Sequence, residues 1–291
     1  MNQRDGTPMR ATTRLRQLLR QPELVVAPGC YDAITARMVE RAGFPAVYMS
    51  GAATSASLGY PDYGLITMSE MVERAAVLVR SVSIPVISDA DTGYGNELNV
   101  TRPVREFEPR GAAAIHIEDQ VSPKRCGHLD NKELISQAEY VSKIKAAVAA
   151  RRDPDFVIIA RSDARTVNGF DDAISRCNAA LAAGADIAFL ESPTTAEEVA
   201  SIPKLLKGAC LFNVVQAGKT PPLPFRQVRE MGYRIAILPS ALIVAGITAG
   251  EAALRSIRET GEVAPSNMSP LDVFRRVGAD EWDVVRAKIA S

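Results

Sequence analysis

The sequence predicts a (β/α)8 barrel, and three observations carry that prediction. Eight short apolar runs rich in Val, Ile and Ala recur at intervals that leave room for one helix each. The runs are nearly continuous in hydrophobicity, as parallel strands covered on both faces are, and not alternating. The 291 residues are divided by no low-complexity segment or linker, a length that suits one closed barrel better than two small domains. The expected organisation is one barrel domain over 1–291, in which 262–291 form a C-terminal extension.

The elements follow in order. Arg4, Arg10, Arg14, Arg16 and Arg20 stand among few acids, a composition that organellar transit peptides share. The simpler reading is a surface helix over 12–20 that leads into the first strand, with the cytoplasm as the expected compartment. Strands are expected at 24–27, 46–49, 85–88, 113–117, 156–160, 187–190, 210–214 and 234–238. Helical patterns fill the gaps at 33–42, 69–81, 100–109, 133–150, 171–183, 196–206, 224–231 and 241–260. Gly43, Gly111, Gly184 and Gly232 fall just ahead of strands, where the end of a helix commonly calls for a left-handed residue. Beyond Glu262, with Pro265, Ser269 and Pro270, a further helix is expected over 271–290. A minimal barrel has no place for it, so it is expected to pack on a neighbouring subunit.

Bulk properties exclude several classes. Thirty-four basic and 34 acidic side chains give a formal net charge of zero, so no global basic field exists to hold nucleic acid or an anionic membrane. No apolar run reaches membrane-spanning length. Cys30, Cys126, Cys177 and Cys210 are irregularly spaced, as free thiols of a reducing compartment are. With only two histidines besides, they supply no evident four-ligand zinc set.

In a barrel of this kind, chemistry collects where strands give way to their loops. Strand two ends in Ser50-Gly51-Ala52, small residues that leave backbone N–H groups for an anion. Strand three ends in Asp89-Ala90-Asp91, and residues two apart on a strand face the same side. With Glu118 from the end of strand four, they offer the all-oxygen, anionic pocket that Mg²⁺ or Mn²⁺ takes, water completing the shell. Arg161, at the end of strand five, suits a bidentate grip on a carboxylate, or an ion pair with Glu191 or Asp163. Strand six ends in Glu191-Ser192 and strand seven carries Asn213. His116 lies inside strand four and reads as a packed, hydrogen-bonded residue. Thr92-Gly93-Tyr94-Gly95 lacks the full dinucleotide pattern. After strand four, Lys124-Arg125-Cys126-Gly127-His128 place a thiol, an imidazole and two cations on a loop bracketed by Pro123 and Gly127. That suits a loop that changes conformation; a solvated charged turn is the alternative.

Ser50-Gly51, Asp89-Ala90-Asp91-Thr92-Gly93, His116-Ile117-Glu118-Asp119-Gln120, Lys124-Arg125-Cys126-Gly127-His128 and Ala160-Arg161-Ser162-Asp163-Ala164 together resemble the isocitrate lyase/phosphoenolpyruvate mutase superfamily. The likeness runs over about 15–260 and is to the 2-methylisocitrate lyase and 2,3-dimethylmalate lyase branch. It implies a Mg²⁺-dependent barrel whose last helix is swapped between subunits of a homotetramer, a dimer of dimers. It implies that Asp89 and Asp91 are metal-site acids, with Glu118 acting partly through water. Ser50, Gly51, Ala52 and Arg161 would hold the carboxylate of a 2-oxoacid, and Asp62, Gly127, Glu191 and Asn213 would face the substrate. Tyr48 would lie near the reacting hydroxyl, and Cys126 would be the general acid on a mobile loop with His128 beside it.

Two departures narrow the substrate. The methylisocitrate lyase pattern has an arginine shortly after strand eight, where 238–244 offer apolar residues and Ser240. It has another near the swapped segment, where Asn267-Met268 stand. A smaller 2-hydroxy dicarboxylate, such as a 2-alkylmalate, is therefore the expected substrate, with methylisocitrate as the alternative. The expected reaction is a retro-Claisen cleavage to an oxoacid such as pyruvate, in which Tyr48 or a metal-bound water takes the hydroxyl proton and Cys126 protonates the carbanion. An unperturbed thiol is mostly protonated at pH 7 and can serve as that acid, while Lys124 and Arg125 would bias it toward thiolate; the sequence leaves the balance open. A phosphorus–carbon bond enzyme, an oxaloacetate decarboxylase and a barrel that only binds its ligand are the rival readings.

Overall fold

A computed structural model describes residues 9–290. Eight parallel strands close a barrel in chain order: β1 (Val25–Cys30), β2 (Val47–Met49), β3 (Val86–Asp89), β4 (Ala114–Glu118), β5 (Val157–Ser162), β6 (Ile187–Leu190), β7 (Ala209–Asn213) and β8 (Ile235–Leu238). Closure is direct, with Val25 opposite Ile235 and Pro28 opposite Leu238. All eight expected strands are present, displaced by a few residues at their ends. Tyr48, Ile87, Ile159, Phe189, Leu211 and Ile237 point inward and fill the barrel, so its interior is a packed core.

The first helix, α1 (Ala11–Arg20), plugs the end of the barrel where the strands begin. Leu15 is completely buried and joins the interior cluster with Val25, Ala46 and Ala113. The arginines on this segment hold it in place: Arg10 pairs with Asp153 at 3.0 Å and Arg16 with Asp186 at 2.9 Å. Arg4 lies outside the described residues.

The outer helices are α2 (Ala33–Arg41), α3 (Gly51–Ser57), α4 (Met68–Ser81), α5 (Thr101–Phe107), α6 (Gln137–Ala150), α7 (Phe170–Ala182), α8 (Ala196–Leu205), α9 (Phe225–Met231) and α10 (Ala241–Thr260), followed by α11 (Pro270–Arg276) and α12 (Ala279–Ala290). Local chemistry sets their starts. Reciprocal capping boxes join Asp32 to Thr35 and Thr67 to Glu70, satisfying amides that helix geometry leaves free. The four glycines ahead of strands all have positive φ, from 83° at Gly43 to 107° at Gly232.

Three expectations are corrected. The helix expected over 133–150 starts at Gln137, capped by Ser136. The residues before it are extended: Leu134 bridges to Gln120, and Ile135 N–H donates to the Asp119 carbonyl at 3.0 Å. The helix expected over 271–290 is two, broken where Gly278 turns left-handed at φ 93°. The third, α3, was not expected, because Gly-Ala-Ala-Thr-Ser-Ala-Ser carries no amphipathic period. None of the described helices is long and apolar enough to cross a membrane.

Candidate active site

A cavity of about 100 Å³ opens where the strands end. Tyr48, Ser50, Ala52, Asp62, Asp89, Cys126, Gly127, His128, Arg161, Glu191 and Asn213 line it. These residues, spread over most of the chain, are brought together by barrel closure. Gly51, Asp91 and Glu118 are not among the lining residues; Gly51 and Asp91 N–H groups donate to Asp89, and Glu118 pairs with Arg161.

Each strand end contributes a defined group. Ser50 caps α3, accepting from Ala53 N–H at 3.2 Å; its own hydroxyl proton stays available to a ligand. Two of the three amides expected to hold an anion are engaged: Ser50 N–H donates to the Cys30 carbonyl at 3.1 Å and Gly51 N–H to Asp89 Oδ2 at 3.2 Å. Gly51 is required there, since a Cβ would lie 2.4 Å from Asp89 Oδ2. Tyr48 stacks on His116, its Oη 2.7 Å from Nε2 and 3.5 Å from Asp89 Oδ2. The expectation of a packed, hydrogen-bonded His116 matches this contact. Burial pushes the Tyr48 phenol well above its ordinary pKa and pulls His116 down to about 4, so both are neutral at pH 7.

Asp89 and Asp91 converge for a different reason from the pleat. The strand stops at Asp89, and Asp91 takes a left-handed backbone, φ 46°, whose N–H donates to Asp89 Oδ1 at 2.9 Å. Lys124 reaches in from the loop to pair with Asp91 at 3.0 Å and Asp62 at 2.5 Å. Glu118 faces Arg161 at 3.1 Å. Burial raises the carboxyls of Glu118 and Asp91, the latter to about 6, the first well above its usual range despite Arg161. Burial also opposes ionisation of Asp89, but His116, Lys124 and Arg161 outweigh it and hold that carboxyl low.

Arg161 stands at the centre of an anionic wall. Its Nε and Nη2 fork onto Asp163 at 2.9 and 3.1 Å, and Glu191 lies 3.6 Å away. Burial would raise the Glu191 carboxyl, yet Arg161 and His128 hold it far below the usual range. Asn213 Nδ2 donates to Glu191 Oε2 at 3.0 Å, and its own Oδ1 is buried without a partner among the described residues. His128 Nδ1 accepts from Lys219 N–H at 3.0 Å. In the neutral ring the proton therefore sits on Nε2, which lies 3.2 Å from Glu191 Oε1.

The loop carrying Cys126 lies over the cavity. Cys126 N–H donates to the Asp62 carbonyl at 3.1 Å, and Gln120 clasps the Arg125 backbone at 2.8 and 3.0 Å. The packing bears on the balance between thiol and thiolate that the sequence leaves open. Lys124 is engaged by two carboxylates and Arg125 leans outward over Tyr63 at 5.7 Å. Burial, then the Asp62 charge, push the thiol above its ordinary pKa, against smaller pulls from the His128 backbone, Arg161 and Lys124. Cys126 is a proton-bearing thiol.

A divalent cation fits the acids beneath it. Asp89, Asp91 and Glu118 are all buried at neighbouring strand ends, and Glu118 Oε1 has no hydrogen-bond donor among the described residues while Oε2 meets Arg161 as an ion pair at 3.1 Å. A buried oxygen without a donor, such as Oε1, is costly unless a cation or water meets it. No group of three His, Cys, Asp or Glu side chains among the described residues is close enough for direct ligation by all three; an ion here would take part of its shell from water.

Local sequence hid several contributors. Phe189, Val215, Ile237, Pro239 and Ser240 also line the cavity, but within apolar runs they read as core. Lys132 is buried beneath the loop, although a lysine in a loop ordinarily reads as solvated. Asp163 was named only as a possible partner of Arg161.

A barrel with carboxylates, one guanidinium and a loop-borne thiol at its C-terminal end defines an enzyme acting on small anionic acids. Residues 15–258 match the family model "Phosphoenolpyruvate phosphomutase". Over 236 residues the chain is 51% identical to the 2,3-dimethylmalate lyase of Eubacterium barkeri, covering 81% of this chain and 82% of that one. It is 49% identical to a 2-methylisocitrate lyase of Aeropyrum pernix, covering 85% and 80%. A crystal structure of 2,3-dimethylmalate lyase superposes with a TM-score of 0.93 at 40% identity, covering 97% and 96% of the two chains. Phosphonopyruvate hydrolase with oxalate and Mg²⁺ superposes with a TM-score of 0.88 at 31% identity, covering 97% and 100%. The chain belongs to the phosphoenolpyruvate mutase/isocitrate lyase superfamily.

Proposed function

We propose that this carbon–carbon lyase cleaves a 2-hydroxy dicarboxylate of the 2-alkylmalate type to an oxoacid, such as pyruvate, and a carboxylate. One observation carries the reading: the Cys126 thiol, Tyr48, Asp89 and Arg161 line a single cavity. A proton donor, a hydroxyl partner, a metal-site acid and a carboxylate grip are what this cleavage requires.

Arg161 and the Ser50 hydroxyl hold the oxoacid carboxylate. Tyr48 sits at the 2-hydroxyl and takes its proton while its own phenolic proton moves to His116 Nε2, 2.7 Å away, and the imidazolium so formed lies 3.4 Å from Asp89. The C2–C3 bond breaks, C2 becomes a carbonyl, and the bonding pair moves to C3 and into its carboxylate. Cys126 gives its proton to C3. Mg²⁺ or Mn²⁺, held by Asp89, Asp91 and Glu118 with water, would lower the pKa of the 2-hydroxyl and stabilise the negative charge that develops there. His128, Glu191, Asn213 and the Gly127 backbone surround the leaving carboxylate and keep water out.

Size selectivity follows from charge. Among the described residues lining the cavity, Arg161 is the one arginine or lysine. A tricarboxylate brings one more negative charge than a dicarboxylate, and the Pro239–Ser240 wall offers it no cation. The apolar faces of α10 and α12, with Leu254, Trp282 and Ile289 68%, 71% and 81% exposed, support a helix-swapped homotetramer in which a neighbouring subunit covers them.

The test is product analysis with a panel of 2-alkylmalates, methylisocitrate, oxaloacetate and phosphonopyruvate. A 2-alkylmalate should exceed methylisocitrate in kcat/KM by roughly ten- to a hundredfold, the worth of one charge-assisted contact. Preference for methylisocitrate by that margin, or turnover of phosphonopyruvate alone, would refute the reading.

A further inference from the structure

The segment 119–134 carries Cys126, yet its deepest side chain is not the thiol. Lys132, five residues past Gly127, is buried to 1% side-chain exposure. Its ammonium donates to the Gly127 carbonyl at 2.5 Å and to Asp163 Oδ1 at 2.8 Å. Burying a lysine sacrifices hydration and the freedom of a long side chain. Charge balance is part of the reason, because Arg161 is shared among Asp163, Glu118 and Glu191, but Arg161 already forks onto both oxygens of Asp163 and charge alone does not call for a bond to the loop backbone. What Lys132 adds beyond charge balance is a charge-assisted bond to the backbone between Cys126 and His128. Ser192 Oγ lies 3.3 Å from the same carbonyl, but its one proton has a nearer, charged acceptor in Glu191 Oε1 at 3.1 Å, which leaves Lys132 as the donor that holds this peptide. The peptide it holds is packed against the substrate grip: a Cβ on Gly127 would lie 2.4 Å from Arg161 Nη2.

We propose that Lys132 is a positioning residue that latches the Cys126 loop closed, and that Asp163 couples the latch to Arg161. Asp163 Oδ1 receives Lys132 and Arg161 together, so the carboxylate that orients the substrate-gripping guanidinium also anchors the loop that delivers the proton. A ligand that steadies Arg161 thereby steadies the closed loop. Lys132 touches no reacting atom. The inference rests on the proposed role of the loop in cleavage, but its test does not require turnover.

The test is alkylation of Cys126 by iodoacetamide in the Mg²⁺-loaded enzyme, with and without oxalate. Cys30, Cys177 and Cys210 are buried while Cys126 is partly exposed, so labelling of the folded protein reports the loop. The wild type should label slowly, and more slowly with oxalate. In Lys132→Met, which keeps the apolar stem and removes the donor, labelling should be roughly ten- to a hundredfold faster. Oxalate should bind but no longer protect. Turnover should fall by a similar factor with KM little changed, because Arg161 keeps Asp163. If Lys132→Met does not fold, Lys132→Gln, polar but uncharged and too short to reach both partners, should still speed labelling several-fold. Wild-type labelling and protection in the folded variant would overturn the latch, whatever the activity. Should the wild type fail to cleave any 2-hydroxy acid, the labelling would still decide the latch on its own.

Discussion

Gly127→Ala adds one methyl group between Cys126 and His128. The new Cβ would lie 2.4 Å from Arg161 Nη2 and 2.7 Å from Glu191 Cγ. Neither neighbour can yield easily. Arg161 is fixed by Asp163 at 2.9 and 3.1 Å, and Glu191 by Asn213 at 3.0 Å. Overpacking of a tight site costs roughly 1–3 kcal/mol, which would lower the population of the closed loop about 5- to 150-fold. The loop can escape by opening, so the barrel itself should keep its stability. The expected result is a fall in kcat/KM of that size with an unchanged unfolding midpoint, measured by steady-state kinetics and denaturant titration. Wild-type kcat/KM would show that catalysis does not need this closed packing. A lowered midpoint with normal kinetics would place the role of Gly127 in folding.

Two further predictions address the metal and the core. Exhaustive chelation should abolish turnover and added Mg²⁺ should restore it; full activity after verified metal removal would end the metal assignment. Leu15→Ala, at the far end of the barrel from the cavity, should destabilise by about 2–5 kcal/mol through lost burial and a residual hole. KM should not change, and a wild-type unfolding midpoint would mean that α1 is no part of the core.

The barrel was legible because each strand is a short apolar run and each gap holds a helical period, signals that survive in one dimension. Asp89, Arg161 and Glu191 were legible because barrel topology sends strand ends to one face. The turn that brings Asp91 to Asp89 was not, since nothing local announces a left-handed aspartate. The balance between thiol and thiolate at Cys126 was not legible, for a physical reason. Lys124 and Arg125 are adjacent in sequence, but the fold turns one onto Asp62 and Asp91 and the other outward, leaving burial to dominate. Lys132 was missed because its partners, the Gly127 carbonyl and Asp163, meet only once the barrel has closed. The small-residue helix α3 has no amphipathic face to betray it.

The central claim is that Cys126 supplies the proton that completes carbon–carbon cleavage. Cys126→Ser keeps the shape but replaces a thiol of ordinary pKa about 8.5 with a far poorer acid. Oxoacid affinity in the presence of Mg²⁺ and turnover of the preferred 2-alkylmalate, measured side by side with the wild type, test it directly. Affinity should be retained, because Asp89, Asp91, Arg161 and Ser50 are untouched, while cleavage falls by a factor on the order of 10²–10⁴. Near-normal cleavage by the serine variant would contradict the account.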